Sequence, residues 1–307
     1  MPVRILAIDM DGTLLNSSGE VSPRNRAALH AAEAAGIEVV IATGRRHCYA
    51  MHAVRDLHLH PDNALISSNG TVIRTVGARL LHRTQMSLGS ALWLCDHVTD
   101  FRNTLVFTFD TVDHTGEDTR GALVCEHLDD LHASISRWMR SNEPYIQHVS
   151  RLEDALTSAA PIQAMLCGTV DRMAAAEARL LEHPQVAAVG TQAGPDTVIT
   201  LHRTSYPDRD LSIVDILPAG CSKASALHRL ATMRGIGSGD ILAIGDNWND
   251  LPMLQFAGTA VLMDNAPGDL KRLALQHGWQ RAPSNDNDGV AHAIEQALSN
   301  VLTHMGS

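Results

Sequence analysis

The chain has 307 residues, 45% hydrophobic and 19% charged, which is enough apolar sequence for a sizeable core and argues against global disorder. Its net charge of -10 argues against a dominant role on nucleic acid or a membrane surface. No apolar stretch reaches the length of a membrane span, and the N-terminus shows no signal-peptide pattern.

Arg4 to Ile8 is a short apolar run that ends abruptly in Asp9-Met10-Asp11-Gly12-Thr13. A continuous apolar run bounded by turn residues reads as a buried strand of a parallel sheet. Ser22 is a good N-cap for the next segment, Pro23 suits a first helical turn, and Gly36 stops the helix. Ile37–Ala42 is a β-branched run ending at Thr43-Gly44-Arg45, and a helix is predicted over Cys48–Leu57. Leu65-Ile66 forms a short strand before Ser67-Ser68-Asn69-Gly70, and Thr71–Thr75 with Arg79–Thr84 reads as a hairpin around Gly77. Strands alternating with helices imply crossovers and a parallel sheet.

The rhythm then changes to shorter, more polar strands. Helices are predicted at Leu88–Phe101, Leu128–Arg140 and Arg172–Leu181. Strands are predicted at Thr104–Asp110, Ala122–Glu126, Ile162–Cys167, Val186–Gly190 and Thr197–His202. Polar, turn-rich segments at Thr84–Ser87 and Ser205–Asp210 bound this stretch, which reads as an inserted α+β domain over 84–207. After Pro218 the α/β rhythm resumes. Lys223–Arg234 is an amphipathic helix, expected to turn Leu227, Leu230 and Met233 inward and to stop at Gly235. Ile241–Ile244 is a second strand of the first type, ending in Gly245-Asp246-Asn247-Trp248-Asn249-Asp250. Thr259–Met263 is a further strand, and Val290–Leu302 a closing helix. The fold class is therefore α/β, a Rossmann-like parallel-sheet core built from 1–83 and 208–307 and interrupted by the insert.

In open α/β sheets ligands bind beyond the carboxyl ends of the strands, so three strand ends converge on one rim: Asp9/Asp11, Thr43-Gly44-Arg45 and Asp246/Asn249/Asp250. Two carboxylates as close as Asp9 and Asp11 repel, and need a cation, a shared proton or different roles. Gly12 permits a sharp departure and close backbone approach to a ligand there, which makes it a candidate phosphate-binding residue. Aspartates from separate strands suit a hard cation such as Mg²⁺. Thr43, Lys223 and Asn249 are donors suited to phosphate oxygens. Each piece alone also has a plainer reading: an Asp-Gly turn, a Thr-Gly turn, a surface ion pair for Arg45, a helix-end charge for Lys223. Lys223 stands in a first turn, where the helix dipole disfavours a cation, and that mismatch is a hint of function. The five cysteines (Cys48, Cys95, Cys125, Cys167, Cys221) are dispersed, which fits reduced thiols and a cytoplasmic location. The 17 histidines show no ligand spacing, so zinc is not expected.

The order of these pieces resembles the haloacid dehalogenase-like hydrolase superfamily. Asp9-Met10-Asp11-Gly12-Thr13-Leu14-Leu15 is similar to its first motif and Thr43-Gly44-Arg45 to the second. Lys223 corresponds to the third, and Gly245-Asp246-Asn247-Trp248-Asn249-Asp250 to the fourth. The Cof-type branch is nearer still, through Ile66–Gly70, Cys221-Ser222-Lys223, Pro252-Met253-Leu254, Asn265-Ala266 and Asp288-Gly289-Val290-Ala291. The resemblance implies a phosphomonoesterase with Asp9 as nucleophile and Asp11 as acid and base. It implies Mg²⁺ held by Asp9, the Asp11 carbonyl and Asp246, with Asp250 positioning waters. Lys223, Thr43, the Gly44 N–H and Asn249 would hold the phosphate, Arg45 would support that end, and Asn69 would face the substrate.

The expected substrate is a small phosphorylated metabolite, sugar phosphates above all, with no nucleic acid or membrane partner and a monomer or small homo-oligomer as the assembly. A hexose-phosphate mutase or phosphotransferase is the alternative enzyme, and a phosphometabolite sensor the non-catalytic one. The insert is expected to act as a specificity cap that closes over the phosphate end, with His114, Glu117, Asp118 and Arg120 in a polar loop that reads equally as a solvated tip.

Overall fold

The computed structural model describes residues 3–131, 135–157, 159–189, 191 and 194–305. In chain order β1 (Ile5–Asp9) leads to α1 (Pro23–Ala34), β2 (Glu38–Ala42), α2 (His47–Val54), β3 (Ala64–Ser67), β4 (Val72–Thr75) and β5 (Leu80–Arg83). Next come α3 (Leu88–His97), β6 (Leu105–Thr108), β7 (Leu123–Cys125), α4 (Ser136–Asn142), β8 (Ile146–His148) and α5 (Leu152–Ala155). They are followed by β9 (Gln163–Gly168), α6 (Val170–Leu181), β10 (Val186–Ala188), β11 (Ile199–Tyr206) and β12 (Leu211–Pro218). The chain closes with α7 (Lys223–Arg234), β13 (Ile241–Gly245), α8 (Leu251–Phe256), β14 (Thr259–Met263), α9 (Gly268–His277), β15 (Gln280–Ala282) and α10 (Gly289–Met305).

Two compact units result, Met1–Leu81 with Ser222–Ser307, and His82–Cys221. The first carries an eight-stranded sheet in the order β15-β14-β13-β1-β2-β3-β4-β5. It is parallel from β15 to β3 and turns antiparallel at β4. Both faces are buried, as a parallel sheet between helices requires. Leu6, Ile8, Val39 and Ile41 belong to one apolar layer with residues of α1, α2 and α10. Ile5, Ala7, Val40 and Ala42 alternate into the other, with residues of α7, α8 and α9. Each fully buried Leu or Ile of these strands is worth about 1.5–3 kcal/mol of transfer energy. The strand order reverses at β1, whose neighbours β2 and β13 lead away in opposite directions, and such switch points are where open α/β sheets bind ligands.

Local chemistry fixes the two helices nearest the rim. Ser22 accepts the Asn25 N–H to cap α1, and Ser222 and Ser225 form a reciprocal capping box at the start of α7. Gly235 ends α7 in the left-handed region at φ 63°. Leu227 and Leu230 are buried as expected, but Met233 is 48% exposed. Steps of three residues fall short of a helical turn by about 60° each, so Met233 lies about 120° round from Leu227, off the buried stripe.

The second unit holds a seven-stranded sheet in the order β10-β11-β12-β9-β6-β7-β8. Its extent corrects the expected boundary, for it runs to Cys221 and not to 207. Leu211–Pro218 pairs antiparallel with both β11 and β9, at the middle of this sheet. The polar segment Ser205–Asp210 is no linker: Ser205 and Tyr206 end β11, and Pro207–Asp210 is the turn into β12. The helix expected over Leu128–Arg140 is a short 3-10 turn at Leu128–Asp130 and then α4, with 132–134 outside the described residues. The strand expected over Val186–Gly190 ends at Ala188, and 190 lies outside them too. The predicted long helix Leu88–Phe101 stops at His97 and continues as a 3-10 segment, Thr99–Thr104. The five cysteines are buried and form no disulfide, and among the described residues no helix is long and apolar enough to cross a membrane.

Candidate active site

β1 and β13 are hydrogen-bonded neighbours, in register from Ile5 opposite Ile241 to Ile8 opposite Ile244. Their carboxyl ends therefore deliver Asp9 and Asp246 side by side. Asp250 returns to the same place through a single turn, Trp248–Asp250, whose own cap is a box between Asn247 and Asp250. Gly245 makes room for it, since a Cβ there would stand 2.6 Å from the Asp250 Cβ. One carboxylate oxygen from each of Asp9, Asp246 and Asp250 lies within 4.8 Å of the other two, and all three residues are buried. Gly12, at φ 81°, completes the packing, because a Cβ on it would meet Asp246 Oδ2 at 2.5 Å.

Lys223, only 1% exposed, is the cation of this cluster. Its ammonium donates to Asp9 Oδ1 at 2.5 Å and to Asp250 Oδ1 at 2.6 Å. Asp250 Oδ2 accepts the backbone N–H groups of Asp246 and Asn247, each at 3.1 Å. Both oxygens of Asp250 are thus engaged in holding Lys223 and the loop. Asp246 is steadied by neutral donors, Thr13 Oγ1 at 3.0 Å on Oδ1 and Asn265 Nδ2 at 3.2 Å on Oδ2.

Three carboxylates share one ammonium. Burial, reinforced by Asp250, pushes the Asp246 carboxyl up to about 7. Burial and the same neighbour raise Asp9 well above the usual carboxylate range, against the pull of Lys223. Burial alone would lower Lys223, but Asp250 and Asp9 hold it above its ordinary value. An all-oxygen cluster with surplus negative charge suits a hard divalent cation, and the residues present therefore fit Mg²⁺.

A stability experiment follows from these directions. Between the pKa of an unfolded aspartate and 7, the native protein holds a proton that the unfolded chain has lost. Stability of the metal-free protein should therefore fall as pH rises from about 5 to 8. A divalent cation bound at the cluster would take the place of that proton, so Mg²⁺ should raise the melting temperature more at pH 8 than at pH 5.5, by on the order of 5 °C. Thermal melts in EDTA and in Mg²⁺ across this range check it, and a gap that does not change with pH would contradict the reading.

Asp11 stands apart from the carboxylate cluster. Arg45 holds it through two bonds, Nε to Oδ2 at 2.8 Å and Nη2 to Oδ1 at 2.5 Å, and its side chain is 53% exposed. The Arg45 guanidinium also lies over the Tyr49 ring, 4.7 Å from its centre. Thr43 is buried, and its Oγ1 accepts the Arg45 N–H at 3.1 Å. Gly44 faces the Asn69 amide closely, for a Cβ on it would stand 3.1 Å from Asn69 Oδ1. Asn69 is buried with its backbone at φ 53°, next to Ser68 at φ 49°, and its N–H donates to the Thr43 carbonyl. Consecutive left-handed backbone at non-glycine residues costs of order 1–3 kcal/mol each and collects at functional sites. Asn249 is half-buried in the turn before Asp250.

The structure thus brings Asp9, Gly12, Lys223, Asp246 and Asp250 together and sets Asp11, Thr43, Gly44, Arg45 and Asn69 along the neighbouring strand ends. In the insert, His114 and Arg120 are exposed, whereas Asp118 is buried and accepts the Thr111 hydroxyl at 3.1 Å. Sequence reasoning missed Thr13 and Asn265 as site residues. The available signal for Asn265 was its place just beyond β14, the strand next to β13 on the same rim.

Comparisons with known proteins bear on the family. The model of the family described as haloacid dehalogenase-like hydrolase matches residues 6–294. The chain is 31% identical to 5-amino-6-(5-phospho-D-ribitylamino)uracil phosphatase YwtE of Bacillus subtilis, over 97% of this chain and 99% of that one. It is 28% identical to HMP-PP phosphatase of Shigella boydii, over 98% and 99% of the two chains. A solved haloacid dehalogenase-like hydrolase from B. subtilis superposes with a TM-score of 0.73 at 26% identity, covering 95% of this chain and 99% of the other. With its motifs seated on the rim of the first sheet and a family match across nearly its whole length, the chain belongs to the haloacid dehalogenase-like hydrolases.

Proposed function

We propose that this phosphoric monoester hydrolase is a Mg²⁺-dependent phosphatase of small phosphorylated metabolites, sugar phosphates among them, and that it works through an aspartyl-phosphate on Asp9. The observation that carries the reading is the buried cluster of Asp9, Asp246 and Asp250 bridged by Lys223 at the topological switch point. The names of two relatives support the substrate class, since both are phosphatases and one is named for a phosphorylated ribitylamino-uracil.

In the first half-reaction a carboxylate oxygen of Asp9 attacks phosphorus as the ester P–O bond breaks, and Asp11 gives its proton to the departing alkoxide. In the second, Asp11 takes a proton from water, which attacks the acyl phosphate. Inorganic phosphate leaves and the Asp9 carboxylate is restored. Lys223, Thr43, the Gly44 N–H and Asn249 are assigned to the phosphoryl oxygens, where their hydrogen bonds tighten as charge moves onto them. Asp9, Asp246 and the Asp11 carbonyl would hold Mg²⁺, with Asp250 acting through water, and the bound ion would supply the charge neutralisation that lets a phosphate dianion approach a carboxylate. These core residues meet only the phosphoryl group and the metal. The choice of leaving group is therefore assigned to Asn69 and to the insert, whose loop carries His114, Glu117 and Arg120. The test is phosphate release from a panel of phosphometabolites with Mg²⁺ and with excess EDTA. Steady release that EDTA abolishes is the expected result, and full activity in EDTA overturns the metal assignment.

Asp11 has its own signature. Its carboxylate must leave Arg45 to reach a leaving oxygen, and its exposure permits that exchange. Asp11→Asn should lower turnover about 10²–10⁴-fold for alkyl phosphates. The loss should be much smaller for p-nitrophenyl phosphate, whose leaving group needs no proton. Values of kcat/KM, which leave out the shared hydrolysis of the acyl phosphate, check this on the two substrate types, and equal losses there would exclude leaving-group protonation by Asp11.

A further inference from the structure

Asn265 lies outside the four motifs, on the loop between β14 and α9, and its residue is solvent-exposed. Its amide nevertheless has every partner defined. Nδ2 donates to the Gly12 carbonyl at 2.7 Å and to Asp246 Oδ2 at 3.2 Å, and Oδ1 accepts the Asn285 N–H at 3.1 Å. Two acceptors on one side and a backbone donor on the other allow a single orientation of the amide, because the flipped form would face oxygen to oxygen twice. Asn285 is fixed in turn, since its Nδ2 donates to the Leu15 carbonyl at 2.9 Å. The neighbouring Asp286 Oδ1 accepts the Ser17 N–H at 2.8 Å.

We infer that Asn265 is a positioning residue for the divalent cation, an inference that rests on the metal assignment proposed above. One NH₂ group joins the two segments that would carry metal ligands, the Asp9–Gly12 turn and the Asp246 carboxylate. These segments come from opposite ends of the chain. Gly12 sits at φ 81°, with no side chain of its own to hold the turn, and it follows Asp11, whose carbonyl is an assigned ligand. Thr13 orients one oxygen of Asp246 and Asn265 the other, so the carboxylate enters metal binding with its rotation already fixed. Neutral hydrogen bonds to a ligating carboxylate fix its direction while leaving its charge for the cation, and loss of such a partner typically weakens metal binding about 10–100-fold.

The experiment is calorimetric titration of Mg²⁺ into the metal-free full-length protein and its Asn265→Ala and Asn265→Ser variants, with melting temperatures recorded in EDTA. Serine is included because it keeps a polar group yet cannot span both acceptors. The expected result is a Mg²⁺ dissociation constant about 10–100-fold weaker in both variants. The Mg²⁺ concentration for half-maximal phosphate release should rise in parallel. Unchanged Mg²⁺ affinity in either folded variant overturns the inference, even if its melting temperature falls, since that is what a purely structural amide would give. A wild-type protein that binds no Mg²⁺ overturns the metal assignment itself and the inference with it.

Discussion

Asp9→Asn should yield a folded protein that hydrolyses its substrates at least about 10³-fold more slowly, a loss of roughly 4 kcal/mol of transition-state stabilisation. The substitution keeps the size of the side chain and an oxygen for Lys223 to hold, but removes the carboxylate that would attack phosphorus. It also takes one negative charge out of a buried cluster in which three carboxylates share a single ammonium. Burial and Asp250 already raise Asp9 well above the usual carboxylate range, so a neutral amide relieves repulsion. The metal-free variant should therefore melt no lower than wild type above pH 7. Activity and stability move in opposite directions, which separates a lost nucleophile from a damaged fold. Steady-state hydrolysis and thermal melts measure the two, and near-normal turnover by the folded variant would remove Asp9 from the reaction.

The parts of the site that were legible in the sequence share a physical cause. A buried parallel strand is an uninterrupted apolar run, so the first polar residue after it marks the rim, and Asp9, Thr43 and Asp246 are each such a residue. Lys223 was legible through its conflict with the helix dipole. The conflict is resolved by carboxylates of β1 and of the turn after β13, which lie against its ammonium. Thr13 and Asn265 stand within stretches that carry the family resemblance, but a neutral side chain after a strand does not show which carboxylate it holds. In the insert, β12 was missed since a polar turn between two antiparallel strands has the same composition as a linker between domains. β8 pairs over only three residues, too few for alternation to show in the sequence. The Asp11–Arg45 pair could not be read at all, because it joins the ends of β1 and β2 through side chains whose directions only the fold determines.

Lys223→Met should cost both catalysis and stability, and the stability loss should depend on pH. Lysine and methionine have similar length and flexibility, so the change deletes a charge without opening a large cavity. The ammonium is only 1% exposed, and its two partners are 6% and 0% exposed. Removing one partner of such a buried group strands the other charges, at about 3–5 kcal/mol when they stay ionised. The stranded carboxylates avoid part of that cost by binding protons, and protons are scarce at high pH. The loss in melting temperature should therefore be larger at pH 8 than at pH 5.5, and Mg²⁺ should recover part of it. Turnover at saturating Mg²⁺ should still fall about 10²–10³-fold, the usual effect of deleting one donor to developing transition-state charge. Lys223→Arg should not restore it. The compact ammonium reaches Asp9 Oδ1 and Asp250 Oδ1 from one point, whereas a planar guanidinium needs more room and a paired set of acceptors, and Asp250 Oδ2 is already taken by two backbone N–H groups. Comparing kcat and melting temperature for the Met and Arg variants at both pH values tests the argument. If the folded Met variant keeps near-normal turnover, the charge of Lys223 serves the fold alone and the phosphoryl group must be held by other donors.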